Sequence, residues 1–282
     1  MPWKTMTLAA VVLAVLGVSM YMLGESPHGG EATSGSESIM LYCGAGIRPA
    51  VKPVIDEFER ETGIRVETSY GGSGQLFGQL ISRRKGDLYM PGAEYYVDRA
   101  AEKGLADADT KARVAYFIPV ILVQNGNPKD ITSLGDFTRH DIRLGLGEPQ
   151  ACAIGKRTVK IFDRNNIPYA KVKENVVTNT TTVNELGTAI QMKTVDATIM
   201  WDANAKNFTQ DGDIVRIPPE KNIPSIIPII RLSFSKRPEA AQEFIDFLIS
   251  SRGQEMIKGQ GYTTKLPGKE EEPAKADQPA GQ

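Results

Sequence analysis

The chain is expected to be an α/β protein folded as two lobes with a ligand cleft between them, and three observations predict this. Short apolar stretches alternate with amphipathic, helix-like stretches from residue 38 to about 265, the pattern of sheets covered by helices. The alternation comes in two blocks with the same grammar. Two long apolar stretches, AYFIPVILVQNG (115–126) and IPSIIPIIRLSF (223–234), stand where one block passes to the other and back.

In the first block, IMLYC (39–43) reads as a strand. RPAVKPVIDEFERETG (48–63) reads as a helix, with Val51, Val54, Ile55 and Phe58 on one face and Gly63 as its stop. Pro49 suits its first turn, and Pro53 is expected to distort the second. IRVETSY (64–70) alternates as a strand. GGSGQLFGQLI (71–81) is a glycine turn opening a helix, with Ser73 placed as its cap. GDLYM is the next strand, AEYYVDRAAEKG the next helix, and VAYFIPVILVQ (114–124) one long buried strand ending at the turn NGNP.

The second block repeats this order. DIRLGLG is a strand, EPQACAIG (148–155) a loop and KRTVKIFDRNN (156–166) a helix. ENVVTN is a strand, Thr180 to Thr182 supply caps, and VNELGTAIQMKT is a helix. DATIMW (196–201) is a strand and DANAKNF begins another helix. IIPIIRLSFS returns from the second lobe, and residues 237–261 form a last helical segment with a break near Gly253. Strands alternating with helices predict largely parallel sheets. The expected organisation is lobe 1 from residues 38–118 and 226–265, and lobe 2 from 119–225.

Composition narrows the function. The 282 residues carry a net charge of −1, so no global charge favours nucleic acid. Two cysteines provide no disulfide framework and no paired CxxC zinc site. The two histidines, His28 and His140, fall in a linker and a polar loop, which leaves a histidine metal site or Ser-His-Asp triad little to draw on. At the N-terminus, Lys4 precedes an uncharged apolar run over residues 6–23, within a segment taken as 1–24. It is long enough to cross a bilayer and reads as an export signal retained as a membrane anchor, with a cleaved signal peptide as the alternative. Either places the remainder outside the cytoplasm. Residues 25–37 are a small, polar linker, and residues 266–282, nearly devoid of apolar side chains, are expected to be disordered.

In open α/β sheets, ligands bind beyond the carboxyl ends of the strands, where helix N-termini point. Four loops here follow strands and precede helices: CGAGIRP, YGGSGQ, GEPQACAIGK and TNTTTVN. Free N–H groups at helix starts form an anion site, and glycine lets the anion approach the backbone. Taken singly, each feature has an ordinary structural reading: Ser73 and the threonines as caps, Trp201 as a half-buried aromatic, Arg48 and Lys156 as surface charges. Their joint arrangement points to a small oxyanion enclosed between lobes.

These stretches resemble the periplasmic molybdate/tungstate-binding proteins of ABC transporters. GAGIRPAVKPVIDEFERETGIRVETSYGGSG, KGDLYMPG, ILVQNGNPKDITSLGDF and LGLGEPQACAIGKR carry the resemblance. NVVTNTTTVNELGTAIQMKTVDATIMWDANA and RPEAAQEFIDFLISSRGQEMIKGQGYTTK complete it. It implies a type II solute-binding fold that closes on a tetrahedral oxyanion and hands it to a membrane permease, without catalysis or cofactor, as a monomer. It implies binding positions as well. The family's first serine falls at Gly46, and its second is retained as Ser73. Backbone donors fall at Ile154 and Val183, and a tyrosine falls at Trp201, which keeps one donor in its indole N–H.

Cys43 and Cys152 stand in the cleft loops of opposite lobes, with Met90 at a third strand end. Three readings are open: small packing residues, a disulfide across the cleft, or a soft site for a thiophilic metal or thio-anion. Two further alternatives are an enzyme with a cysteine nucleophile, which lacks a nearby histidine base, and a membrane-tethered anion sensor that feeds no transporter.

Overall fold

The computed structural model describes residues 37–266. The expected anchor at residues 6–23, the linker up to residue 36 and the tail from residue 267 lie outside the described residues.

In chain order the elements are β1 (Ser38–Gly44), α1 (Arg48–Thr62), β2 (Arg65–Gly71), α2 (Ser73–Arg83), β3 (Leu88–Met90), α3 (Glu94–Glu102), β4 (Ala112–Phe117) and β5 (Pro119–Gln124). There follow β6 (Leu144–Gly147), α4 (Ala153–Arg164), α5 (Tyr169–Lys173), β7 (Val176–Thr180), α6 (Val183–Gln191), β8 (Ala197–Trp201), α7 (Asp202–Ala205) and β9 (Gly212–Arg216). The chain then returns through β10 (Ser225–Arg231) to α8 (Pro238–Ile249) and α9 (Ser251–Gly259).

Two five-stranded sheets result, ordered β2-β1-β3-β10-β4 and β7-β6-β8-β5-β9. Each has a parallel core, β2-β1-β3 in one and β7-β6-β8 in the other. Both sheets are mixed rather than largely parallel. β10 runs antiparallel to β3 and β4, and β5 antiparallel to β8 and β9. The reason is connectivity. The parallel strands end at the cleft, so a strand arriving from the other lobe starts at the cleft and must run away from it.

The long apolar stretch at 114–124 is therefore two strands in two sheets, divided at Ile118. Ile118 N–H donates to Asp202 Oδ1 at 3.2 Å and its carbonyl accepts from Asp202 N–H at 2.8 Å. The returning chain runs beside this crossing, where Asn222 Nδ2 donates to Pro119 O at 2.9 Å. The two crossings thus lie side by side between the sheets.

Helix ends refine the sequence expectations. α1 continues through Pro53 without a break, at the cost of the one intrahelical bond that an N–H there would make to the Pro49 carbonyl. α4 begins at Ala153, within the expected loop. The break in the last helical segment falls at extended Ser250 and not at Gly253, because Ser250 Oγ caps α9 by accepting from Gly253 N–H at 3.2 Å.

Apolar faces bury these helices against the sheets. In the first lobe Phe58 of α1 meets Phe244 of α8 edge to face, 5.1 Å between ring centres. In the second, Phe137 meets Phe162 of α4 at 5.7 Å. Phe244 is fully buried, so Phe244→Ala should destabilise the fold by about 3–5 kcal/mol. Urea unfolding checks this, and a loss near zero would mean that the α1–α8 contact is dispensable.

Candidate ligand-binding site

The cleft-facing strand ends of both sheets meet at a cavity of about 20 Å³, the scale of a single small occupant. Its first-lobe wall is Gly44 to Ile47, Gly71 to Ser73, Gly92 and Phe117. Its second-lobe wall is Cys152, Ala153, Thr182, Val183 and Trp201. Among the described residues no charged side chain lines it. Four helix starts converge there: the 3-10 turn Ala45–Ile47 that runs into α1, and the first residues of α2, α4 and α6. Such ends present N–H groups without intrahelical partners and the positive end of the helix dipole. The first turns of α1, α2 and α4 contain no acidic residue. The acid in the first turn of α6, Glu185, is held by the Thr181 N–H at 2.9 Å.

Ser73 lies in the wall, but not as the expected cap. Gly72 takes the cap position, and its N–H donates to Gln75 Oε1 at 3.1 Å. Ser73 is the first helical residue; its Oγ accepts from Gly92 N–H at 3.0 Å, and Tyr89 donates its hydroxyl to Ser73 O at 2.7 Å. Among the described residues the Ser73 hydroxyl proton has no acceptor, so a buried donor is left for a ligand. The threonines are likewise not side-chain caps: Thr182 holds the cap position of α6 without a capping bond, and Thr180 donates its hydroxyl to Thr182 O at 2.9 Å.

Gly46, Val183 and Trp201 join Ser73 and Cys152 in the wall, whereas Ile154 does not. Its neighbour Ala153 lines the cavity instead. The Trp201 ring stacks on Phe117, 4.7 Å between centres and 4° from parallel. Its indole N–H donates to no acceptor among the described residues. At Gly46 a Cβ would stand 2.6 Å from Val183 Cγ1 and 2.9 Å from Asn204 Oδ1, so a side chain has no room there as the lobes now sit.

The cysteines separate. Cys152 lines the cavity, while Cys43 and Met90 are paired neighbours on β1 and β3, fully buried in the first lobe and absent from the cavity wall. Both thiols are free. Burial pushes Cys43 well above the usual thiol range. It pushes Cys152 up to about 11, against the pull of the Gly155 and Ile154 N–H groups at the start of α4. Neither is thus an ionised sulfur near neutrality. Among the described residues no cluster of histidine, cysteine or carboxylate side chains forms a metal site.

Sequence reasoning placed Ala45, Gly72, Ala153 and Thr182 as members of the four loops, and missed Gly92 and Phe117 in the wall and Asn204 and Tyr262 behind Gly46. Glycines and alanines supply backbone, which no residue-type pattern announces. Gly72 and Gly74 show why these types are required. Gly74 N–H donates to Ala151 O of the other lobe at 2.8 Å. A Cβ on Gly74 would stand 1.9 Å from Gln150 O, and one on Gly72 would stand 2.2 Å from Thr181 O. At the rim, Lys156 Nζ of the second lobe sits 4.1 Å from the centre of the Tyr95 ring of the first.

Comparison with known proteins agrees with this architecture. Residues 39–263 match the family described as bacterial extracellular solute-binding protein. A binding protein of Haemophilus influenzae is 30% identical over 226 residues, 79% of this chain and 90% of that one. The molybdate-binding protein ModA of Mycobacterium tuberculosis is 24% identical over 255 residues, 90% of this chain and 94% of its own. Among solved structures, the sulfate-binding protein SubI of Mycobacterium tuberculosis superposes with a TM-score of 0.72 at 21% identity, over 82% of this chain and 88% of that one.

Two outcomes follow from the geometry. Gly74→Ala suits a helix but should hold the lobes apart; X-ray scattering in solution should give a larger radius of gyration than wild type, and equal radii would refute the steric argument. Both cysteines should resist a thiol reagent in the native protein at about pH 8, below the ordinary thiol pKa, and both should react in denaturant. Rapid native labelling of Cys152 would show that its thiol is neither buried nor held protonated.

Proposed function

The chain belongs to the bacterial extracellular solute-binding protein family, and on that premise we propose that it captures a tetrahedral oxyanion of the molybdate or tungstate kind between its lobes and delivers it to an ABC permease outside the cytoplasm. The chain is a binding protein and not an enzyme. The observation that carries the anion reading is the convergence of four helix starts and the Ser73 hydroxyl on one small cavity without a charged side chain. An anion there is met by neutral donors in a low-dielectric site, where each hydrogen bond to a charged acceptor is strong.

The same set argues against a protonated ligand. The cavity wall offers no carboxylate to accept an O–H, so a fully deprotonated anion is favoured over hydrogen phosphate. Between molybdate or tungstate and sulfate, the ModA relative at 90% coverage of this chain supports the former. The cavity's position between the lobes supports capture by closure. Ligand bound to both walls shifts the hinge equilibrium toward the closed form. The soft-metal alternative has no comparable support, since Cys43 and Met90 stand outside the wall.

Titration of the protein under reducing conditions with tungstate, molybdate, sulfate and phosphate tests the proposal, with melting temperature read beside heat of binding. Tungstate and molybdate should raise the melting temperature, since a ligand that binds only the folded form must stabilise it. Ser73→Ala should weaken their binding by about 1–2 kcal/mol, the scale of one lost hydrogen bond. A larger shift with sulfate would overturn the ligand assignment, and no shift with any oxyanion would sink the reading altogether.

A further inference from the structure

The carbonyl of Gly46 is held from both lobes. Tyr262, beside the bridge from Thr263 to Tyr116 of β4, donates its hydroxyl to Gly46 O at 2.5 Å. Asn204, on α7 of the second lobe, donates Nδ2 to the same oxygen at 2.9 Å. A carbonyl has two lone pairs, and both are engaged. Asn204 is fully buried, and its Oδ1 has no partner among the described residues. Leaving an amide oxygen buried and unpaired is unfavourable, so the side chain's placement needs a reason. One is the hydrogen bond to Gly46. The other is space, since Oδ1 stands 2.9 Å from where a Cβ on Gly46 would be, second only to Val183 Cγ1 at 2.6 Å.

We propose that Asn204 is a positioning residue for the solute site: a latch across the cleft that fixes the Ala45–Ile47 turn and, together with Val183, restricts position 46 to glycine. In a helical turn the carbonyls point one way along the axis and the first N–H groups the other. Anchoring Gly46 O from behind therefore holds the Ala45 and Gly46 amides at the opposite end, and both residues line the cavity. Asn184 of α6 reaches toward Ala45 O at 3.5 Å in the same sense. The latch is neutral, so it orients the anion loop without placing a charge of either sign behind it. Because it crosses the cleft, it stabilises the closed state and acts on release of solute more than on its arrival.

The affinity arm of the test rests on the oxyanion reading; the exchange arm does not. The variants are Asn204→Ala, Asn204→Leu, Gly46→Ser and Gly46→Ser combined with each Asn204 change. Asn204→Leu removes the donor while keeping the bulk, and serves if the alanine variant is unstable in the ligand-free melt. With tungstate and molybdate as probes, both Asn204 variants should speed dissociation about tenfold, the weight of one hydrogen bond, with association little changed. Gly46→Ser should weaken binding in the wild type and on the Asn204→Leu background, where the bulk remains. It should cost less on the Asn204→Ala background, where one of the two groups that crowd a Cβ is gone while Val183 Cγ1 at 2.6 Å remains. Unchanged dissociation in both Asn204 variants, or the same penalty for Gly46→Ser on every background, overturns the latch. If wild type binds none of the oxyanions, the function reading fails and amide exchange in the ligand-free protein decides. Exchange of the Ala45–Ile47 amides must then be faster in both Asn204 variants, and equal rates overturn the proposal.

Discussion

Backbone meets backbone across the cleft, and the rest of the site depends on it. Gly74 N–H bonds to Ala151 O at 2.8 Å, and at Gly72 and Gly74 a single added carbon would collide with carbonyl oxygens of the opposite lobe. Closure to this distance leaves a cavity of about 20 Å³ and brings four helix starts together. With wider separation the same helix ends would face water, and their dipoles would be screened there. The glycines thus act through what they leave out.

Under the proposed function, that closeness is how a wall without formal charge suits an anion. Hydrogen bonds to a charged acceptor strengthen where water is excluded. Donors fixed by the fold need little reordering when the ligand arrives. Each is fixed by a separate device: Ser73 by Gly92 and Tyr89, the Ala45–Ile47 turn by Tyr262 and Asn204, and the α6 start by Glu185. The crossings at Ile118 and Asn222 are held by contacts of their own, to Asp202 and Pro119, separate from those around the cavity.

Much of the fold was legible because periodicity and glycine stops are local properties. The two blocks, the two crossings and the order of most elements could be read from apolar spacing and glycine stops, whereas α5 (Tyr169–Lys173) and β9 (Gly212–Arg216) could not. What escaped depends on partners far apart in sequence. The passage between blocks can be placed at Ile118 from the sequence, but the run reads as one strand, since its break into two is held by Asp202, 84 residues away. The start of α4 at Ala153 was hidden because Cys152 is not a usual cap residue. Gly46, Ser73, Val183 and Trp201 could be placed by resemblance to a family. Gly92 and Phe117 could not, because they contribute backbone, space or a ring face rather than distinctive chemistry.

The departures at Gly46 and Trp201 have a common physical consequence. Where the resemblance leads one to expect a serine hydroxyl and a tyrosine hydroxyl, the structure has a bare backbone and a ring stacked 4.7 Å from Phe117. Fewer rotatable donors remain, and more of the wall is rigid. A hydroxyl can turn to meet anions of different size, whereas a helix amide and a stacked indole cannot. On the proposed oxyanion function, selectivity comes from how closely the lobes approach, and hence from the glycine contacts and the Gly46–Asn204 pair that limit that approach. An anion too small to touch both walls gives the closed form no advantage over the open one, and an anion too large prevents the Gly74–Ala151 bond from forming. The size that satisfies both conditions is set by backbone positions in two lobes.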